Sequence, residues 1–357
     1  MINVFKRWYS RKFSDPNSIT LLMLTLGLGA ALYFFGTYII PVMVALVIAY
    51  LLEWPVTKLM QTGSSRTLAS SIVMLLFSGV AISIMVGIIP VLWQQLANFV
   101  QDLPSMLDQG RSYLLTLPNE YPELVNPEQV KSILGSVEGH MLSVGQAVLS
   151  TSLNSLKDVV AWLVYLILVP LLVFFMLKDK SVLLAGFEKF VPNERKLISQ
   201  VWHEMNQQIM NYIRGKVLEI LIIGSVSFIT FTILDLRYAA LLGTLVGFSV
   251  LIPFIGAALV TIPVAIVALF QFGVGTEFWY VIIAYGIIQA LDGNVLVPLL
   301  FSEAVDLHPV YIIVAVLFFG GLWGFWGVFF AIPLASLVRA LLNAWSASAH
   351  EHESSPM

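Results

Sequence analysis

The sequence contains no cysteine, five histidines, and only 11% Asp, Glu, Lys and Arg in 357 residues. Without cysteine there are no disulfides, no thiolate nucleophile and no Cys-type metal site. Five histidines leave little material for a metal centre of another kind. Soluble domains carry about 25% charged residues, so a chain this poor in charge cannot cover its surface in water. Its net charge of −3 comes with no basic face for nucleic acid and no long acidic tract. Standard catalytic signatures are missing too. No P-loop or Gly-x-Ser-x-Gly occurs, and His203-Glu204 has no second His at metal-binding spacing. No cofactor is expected. What is abundant is apolar, at 59% of the chain. An ordinary soluble enzyme and a disordered chain are both excluded, and the composition specifies an all-α polytopic membrane protein.

A spanning helix needs about 20 mostly apolar residues. Stretches free of Asp, Glu, Lys and Arg run over 16–52, 67–101, 159–177, 238–276 and 307–338, with shorter ones over 220–234 and 278–291. The first is too long for one crossing, and Gly36 with Pro41 would divide it. The stretch around Pro253 and Gly256 is expected to be two helices meeting at a break. Gly320, Gly321, Gly324 and Gly327 indicate another bend or hairpin in the last one. The total is about eight segments, some broken or re-entrant. No internal repeat of 20 to 50 residues is visible.

The basic residues Lys6, Arg7, Arg11 and Lys12 precede an apolar stretch too long for a signal peptide, which indicates a retained first span. A cytoplasmic N-terminus, and a cytoplasmic C-terminus with it, leaves only Arg111, Lys131, Lys157 and Arg237 of the 18 basic residues outside. The expected organisation is a three-span region at 1–101, an extracytoplasmic helical subdomain at 102–158 and a fourth span at 159–177. A cytoplasmic amphipathic segment at 178–216, a C-terminal transport region at 217–345 and a polar tail at 346–357 follow. In the amphipathic segment, Ile198, Val201, Trp202, Met205, Ile209, Tyr212 and Ile213 recur at helical spacing. This helix either lies at the interface or packs against the ends of other spans.

Four places could carry chemistry. Pro253 removes a backbone donor and Gly256 permits a sharp turn, so freed carbonyls there could hold a cation or polar solute. A simple kink is the alternative. Asp292, with Gln289 and Asn294 beside it and Pro298 after it, lies between two strongly apolar runs. Ionisable residues within spans are functional hypotheses by default. Asp292 could bind a cation, exchange a proton or hold a hydroxylated solute, or 292–294 could form an interfacial turn. Glu303, Asp306 and His308 follow as groups able to relay a proton, or as a solvated loop. Finally, Glu219 enters a span behind Arg214 and Lys216, either pairing with one of them by snorkelling or facing a transport path. Glu53, beside Trp54, is expected to anchor a span end.

At these motifs the sequence resembles the AI-2E family of transporters. The resemblance runs over nearly the whole chain. It is carried by Phe13-Ser-Asp-Pro16, Ala49-Tyr-Leu-Leu-Glu-Trp-Pro55, Tyr212-Ile-Arg-Gly-Lys216 and Gly247-Phe-Ser-Val-Leu-Ile-Pro253. Further matches are Gln289-Ala-Leu-Asp-Gly-Asn294, Phe301-Ser-Glu-Ala-Val305, Leu307-His-Pro309 and the glycine- and aromatic-rich segment 319–333. The resemblance implies a permease of the bacterial inner membrane with about eight spans, a large extracytoplasmic loop after the third, and homo-oligomers in the lipid bilayer. It implies a small polar solute or a monovalent cation or proton as cargo. Some members export the furanosyl signal autoinducer-2 and others resemble sodium/proton antiporters. A non-transporting scaffold and an intramembrane enzyme are the alternatives. The second would need a nucleophile and base that the spans do not offer.

Overall fold

The computed structural model describes residues 40–120, 159–188, 196–253, 255–301 and 308–339. All regular structure among them is helical. The elements are α1 (Ile40–Gln61), α2 (Arg66–Glu120), α3 (Val159–Lys178), α4 (Lys180–Glu188), α5 (Lys196–Ile233), α6 (Ala239–Ser249), α7 (Ile255–Phe272), α8 (Thr276–Leu291), a π-helical turn (Asp292–Leu296), α9 (Val297–Phe301), α10 (Pro309–Phe329) and α11 (331–339). The first predicted span and residues 121–158 lie outside the described residues.

Six of these stretches are long and apolar enough to cross a bilayer. Their outward faces are apolar as lipid requires: Leu75, Leu76, Val80 and Val86 on α2 and Leu299 on α9 are exposed. The chain is an all-α polytopic membrane protein.

The organising element is α5. It runs antiparallel to α6, with Gly243 packed on the backbone of Phe228 and Gly247 on Gly224. Small residues let the two backbones approach, the usual solution where lipid leaves no hydrophobic drive between helices. α6 then turns from Val250 to Pro253 towards α7, which returns beside it. At the open end Gln271 accepts from the Arg237 amide (2.7 Å) and donates to the Asp235 carbonyl (2.6 Å). α6 and α7 are therefore a hairpin. The expected break at Pro253 is its tip, and there the chain passes so close that a Cβ on Gly256 would collide with the Ser249 carbonyl.

The last apolar stretch also folds back. Gly324 has φ 58° and ψ −134°, a backbone that favours glycine. A continuous helix would place residues 319 and 327 about 12 Å apart, yet a Cβ on Gly327 would strike the Phe319 carbonyl. Beyond the bend, Ala331 packs on Ala315 and Val316. α10 and α11 thus form a second hairpin. Each arm is about 15 residues, or 22 Å, against a hydrocarbon core of about 30 Å, so the apolar stretch Pro309–Phe329 is not one crossing.

The two hairpins enter from opposite ends of α5. The first opens at the C-terminal end of α5, where Asp235 and Arg237 lie, and its tip reaches Lys216, which donates to Val250 O at 2.8 Å. The second runs the other way. Ile332 packs with Tyr212 and Ile213, while Trp326, nearer its bend, packs in the cluster that holds Ile220. The tips pass one another, with Leu251 against Phe329 and Phe330 and Ile252 in the cluster of Ala315, Val316 and Ala331.

Two boundaries expected from the sequence fall inside helices. α2 continues unbroken through Asp102 to Glu120, because the prolines and charges that begin at Asp102 lie within a helix that has already started. Likewise α5 runs through Lys216: the amphipathic segment and the following span are one helix. From Asn206 onward its buried face packs against α1, α9 and α11, and Tyr50 of α1 donates to Asn206 at 2.7 Å.

Candidate functional site between the hairpin tips

Where the tips pass, the bilayer-spanning part of the chain holds its buried charges. Lys216, Glu219 and Asp292 are 5%, 2% and 9% exposed. The i, i+3 spacing puts Lys216 and Glu219 on one face of α5, and the ammonium lies 2.8 Å from Glu219 Oε2. The same ammonium donates to Val250 O of the first hairpin and sits 5.1 Å from the Phe301 ring centroid. Lys216 is thus shared by a carboxylate, a tip carbonyl and an aromatic face, with no water-exposed outlet. Of the two alternatives left open for Glu219, the pairing with Lys216 forms, but as a buried pair and not one reaching out to water, with the Phe301 ring against Gly215 beside it.

Asp292 begins the π-helical turn. The sequence left open an interfacial turn at 292–294, but the chain does not reverse there. α8 continues through the π turn into α9, and the Val297 amide bonds back to Asp292 O. Pro298 supplies the reason. It has no N–H to offer the Asn294 carbonyl and its ring would press on that carbonyl in a regular helix; widening the helix by one residue relieves both. Such π insertions are frequent at functional sites. Asp292 lies within electrostatic range of Lys216 and Glu219, and its Oδ1 is buried without a hydrogen-bond partner. Gln289 is half-buried one turn earlier on the same helix, whereas Asn294 is exposed and donates to Ala290 O at 2.8 Å.

The remaining predicted residues separate. Pro253 and Gly256 are at the first tip, in contact range of the charged group through Val250. Pro298 is exposed and acts through the π turn. Arg214 is half-buried, and among the described residues no ion pair holds it. His308 is exposed and caps α10, its Nδ1 accepting from the Val310 amide at 3.3 Å. That is a helix-start role, and it joins no relay among the described residues. Glu303 and Asp306 lie outside the described residues. No group of three or more His, Asp or Glu side chains could hold a metal among those described.

Four features went unread in the sequence. Gly224, Gly243 and Gly247 set the α5–α6 approach, and the Gly-x-x-x-Gly spacing of the last two was the available signal. Tyr212 donates to Phe329 O at 2.9 Å, binding α5 to the second hairpin. At one rim, Glu53 accepts from Arg66 (3.0 Å) and Lys180 (2.9 Å), so it ties three helices together beyond the expected anchoring. At the other, Asp102 accepts from Arg237 (2.7 Å) and from the Tyr238 hydroxyl.

The sequence matches known proteins over nearly its whole length. The profile of the AI-2E family transporter matches residues 21–347. The chain is 50% identical over 345 residues to PerM of Escherichia coli (strain K12), a protein named as a permease, covering 97% of this chain and 98% of that one. YrrI of Bacillus subtilis (strain 168), named as a transport protein, is 27% identical over 88% of this chain and 89% of its own length. YueF of the same organism, named likewise, is 26% identical over 86% and 84%. By the profile match and the PerM identity, this chain belongs to the AI-2E family of membrane transporters.

Proposed function

We propose that the protein is a secondary exporter of the bacterial inner membrane, moving a small polar solute or a monovalent cation along a path between the two hairpin tips. The observation that carries this reading is the pair of oppositely directed hairpins passing one another beside Lys216, Glu219 and Asp292. Interrupted helices whose ends meet near mid-membrane expose backbone groups to a cargo that a continuous helix keeps to itself. An autoinducer-2-like molecule or sodium/proton exchange is the cargo that family resemblance supports, and export is the direction it supports. Homo-oligomers in the bilayer and cytoplasmic termini belong to the same reading.

Because the native chain lacks cysteine, a single pair at Ile252 and Ala331, which share one packed cluster, can lock the tips. In proteoliposomes loaded with autoinducer-2, with radioactive sodium or with a pH-sensitive dye, oxidation of the pair should stop flux and reduction should restore it. Full flux through the oxidised protein would place the path elsewhere. Flux in none of the three assays would remove these cargoes. Single cysteines at the exposed positions Thr62 and Ser105 test the orientation: an impermeant reagent on intact cells should label only Ser105→Cys.

A further inference from the structure

Three buried charged side chains remain to be balanced. Lys216 brings one positive charge to the group, and Glu219 and Asp292 bring two negative ones. Lys216 sits on Glu219 at 2.8 Å, which leaves the second carboxylate without its own counter-charge. Glu219 Oε2 and Asp292 Oδ1 are both buried without a hydrogen-bond partner, but Glu219 Oε2 has the Lys216 ammonium 2.8 Å away, whereas Asp292, more than nine-tenths buried, has no ion pair among the described residues. A carboxylate held this way in a lipid-embedded site is costly unless something neutralises it.

The surroundings restrict what that can be. The other titratable groups on the elements packed there are committed. The Tyr212 hydroxyl donates to Phe329 O and the Tyr285 hydroxyl to Ala257 O. α6, α7, α9 and the described arms of the second hairpin around Phe329 bring no charged side chain to it. Arg214, two residues along α5 from Lys216, makes no ion pair among the described residues. A sodium ion would need several oxygen ligands, and the tip carbonyl described beside the charged group, Val250 O, is already taken by Lys216. A proton needs one oxygen, and Asp292 has one to offer.

We infer that Asp292 is a proton-exchange site and that Lys216 acts as a tethered cation keeping Glu219 ionised, so that a single proton is exchanged per site. This rests on the transport path proposed above and names its coupling ion. The proton binds at Oδ1 of Asp292 and leaves from the same atom. Lys216 is a positioning residue: it assigns the proton to Asp292 by occupying Glu219.

The test needs no transported solute. The full chain in lipid nanodiscs is treated with dicyclohexylcarbodiimide, which reacts with protonated carboxyls in apolar surroundings, and the adducts are located by mass spectrometry. On the native protein the adduct should fall on Asp292 and not on Glu219. Above its titration point it should decline about tenfold for each pH unit. In Lys216→Met a second adduct should appear on Glu219. Labelling of Glu219 in place of Asp292 in the native protein would overturn the inference, as would no adduct on either residue across the pH range. Protection of Asp292 by sodium at constant pH would show that a metal cation takes the same oxygen and would overturn the assignment of the site to a proton alone. The native-protein arm stands even if Lys216→Met fails to fold. A negative result here leaves the tip-locking experiment unaffected, so the two proposals fail separately.

Discussion

Lys216 of α5 donates to the carbonyl of Val250 at 2.8 Å, and through that one bond a buried cation holds the tip of a hairpin that begins and ends on the far side of the helix bundle. The ammonium is held from the other side by Glu219. Cutting the bond therefore frees the tip and orphans a carboxylate at once.

Lys216→Met removes both contacts. Breaking one partner of a buried pair costs about 3–5 kcal/mol, so a drop in melting temperature is expected. A cysteine at Ile252 should react faster with a maleimide in this background. Lys216→Met with Glu219→Gln should recover part of the stability, since Glu219 is then no longer a carboxylate stripped of its ammonium, while the tip stays reactive. An unchanged rate at Ile252 in Lys216→Met would show that the bond does not hold the tip.

The α5–α6 contact depends on absent side chains. Gly247→Leu drives atoms into the backbone of Gly224 and Ile220, and overpacking of this kind costs about 1–3 kcal/mol. Gly79→Leu on α2 has open space around it and should be neutral. Thermal unfolding of the purified proteins compares them directly, and equal melting temperatures would contradict the close approach.

At the first tip, Pro253 and Gly256 act in different ways. Gly256→Val must displace the Ser249 carbonyl and should lower both abundance and flux. Pro253→Ala restores a backbone donor and favours a straighter helix; it should reduce flux more than abundance. Immunoblots of membranes beside vesicle flux measure both. Normal flux in both variants would make the bend a packing detail.

Tyr238 offers a test by pH outside the spans. Burial, and then the hydroxyl's bond to the Asp102 carboxylate, push this phenol up to about 12, against about 10 when unfolded. Its proton is held more tightly in the folded state, so the stabilisation is fully present below pH 10 and is lost as pH rises from about 10 to 12. Tyr238→Phe should be less stable at neutral pH by about 1 kcal/mol and should lose less stability across that alkaline window. Identical alkaline profiles would show that Tyr238 does not titrate there.

Both breaks were legible in the sequence. Pro253 cannot continue a helix hydrogen-bond ladder, and four glycines between 320 and 327 leave few side chains to hold a straight one. Asp292 stood out as a carboxylate between two apolar runs, with an interfacial turn as the alternative, and spacing offered Glu219 either Lys216 or Arg214 as a partner, of which the structure has Lys216. The directions of the hairpins were not legible. They depend on contacts such as Gln271 with Asp235 and Arg237, which no local pattern encodes. The π turn was missed because Gly293-Asn294 has the composition of a turn, and the proline that shapes the backbone there, Pro298, lies a full helical turn further on. The boundaries expected at 102 and 216 fell inside α2 and α5, since charge and proline mark where a helix meets water, not where it stops.

That the hairpins come from opposite ends of α5 also fixes an order of assembly. α5 and the first hairpin can pack once residue 272 has left the ribosome, and Lys216 can then take the Val250 carbonyl. The second wall arrives only with the second hairpin, when Phe329, Phe330 and Ile332 close over Leu251 and Tyr212. A chain that stops before Gly324 would hold all three buried charges with one side of their enclosure missing, so the growing protein carries its site half-built until the second hairpin has been made.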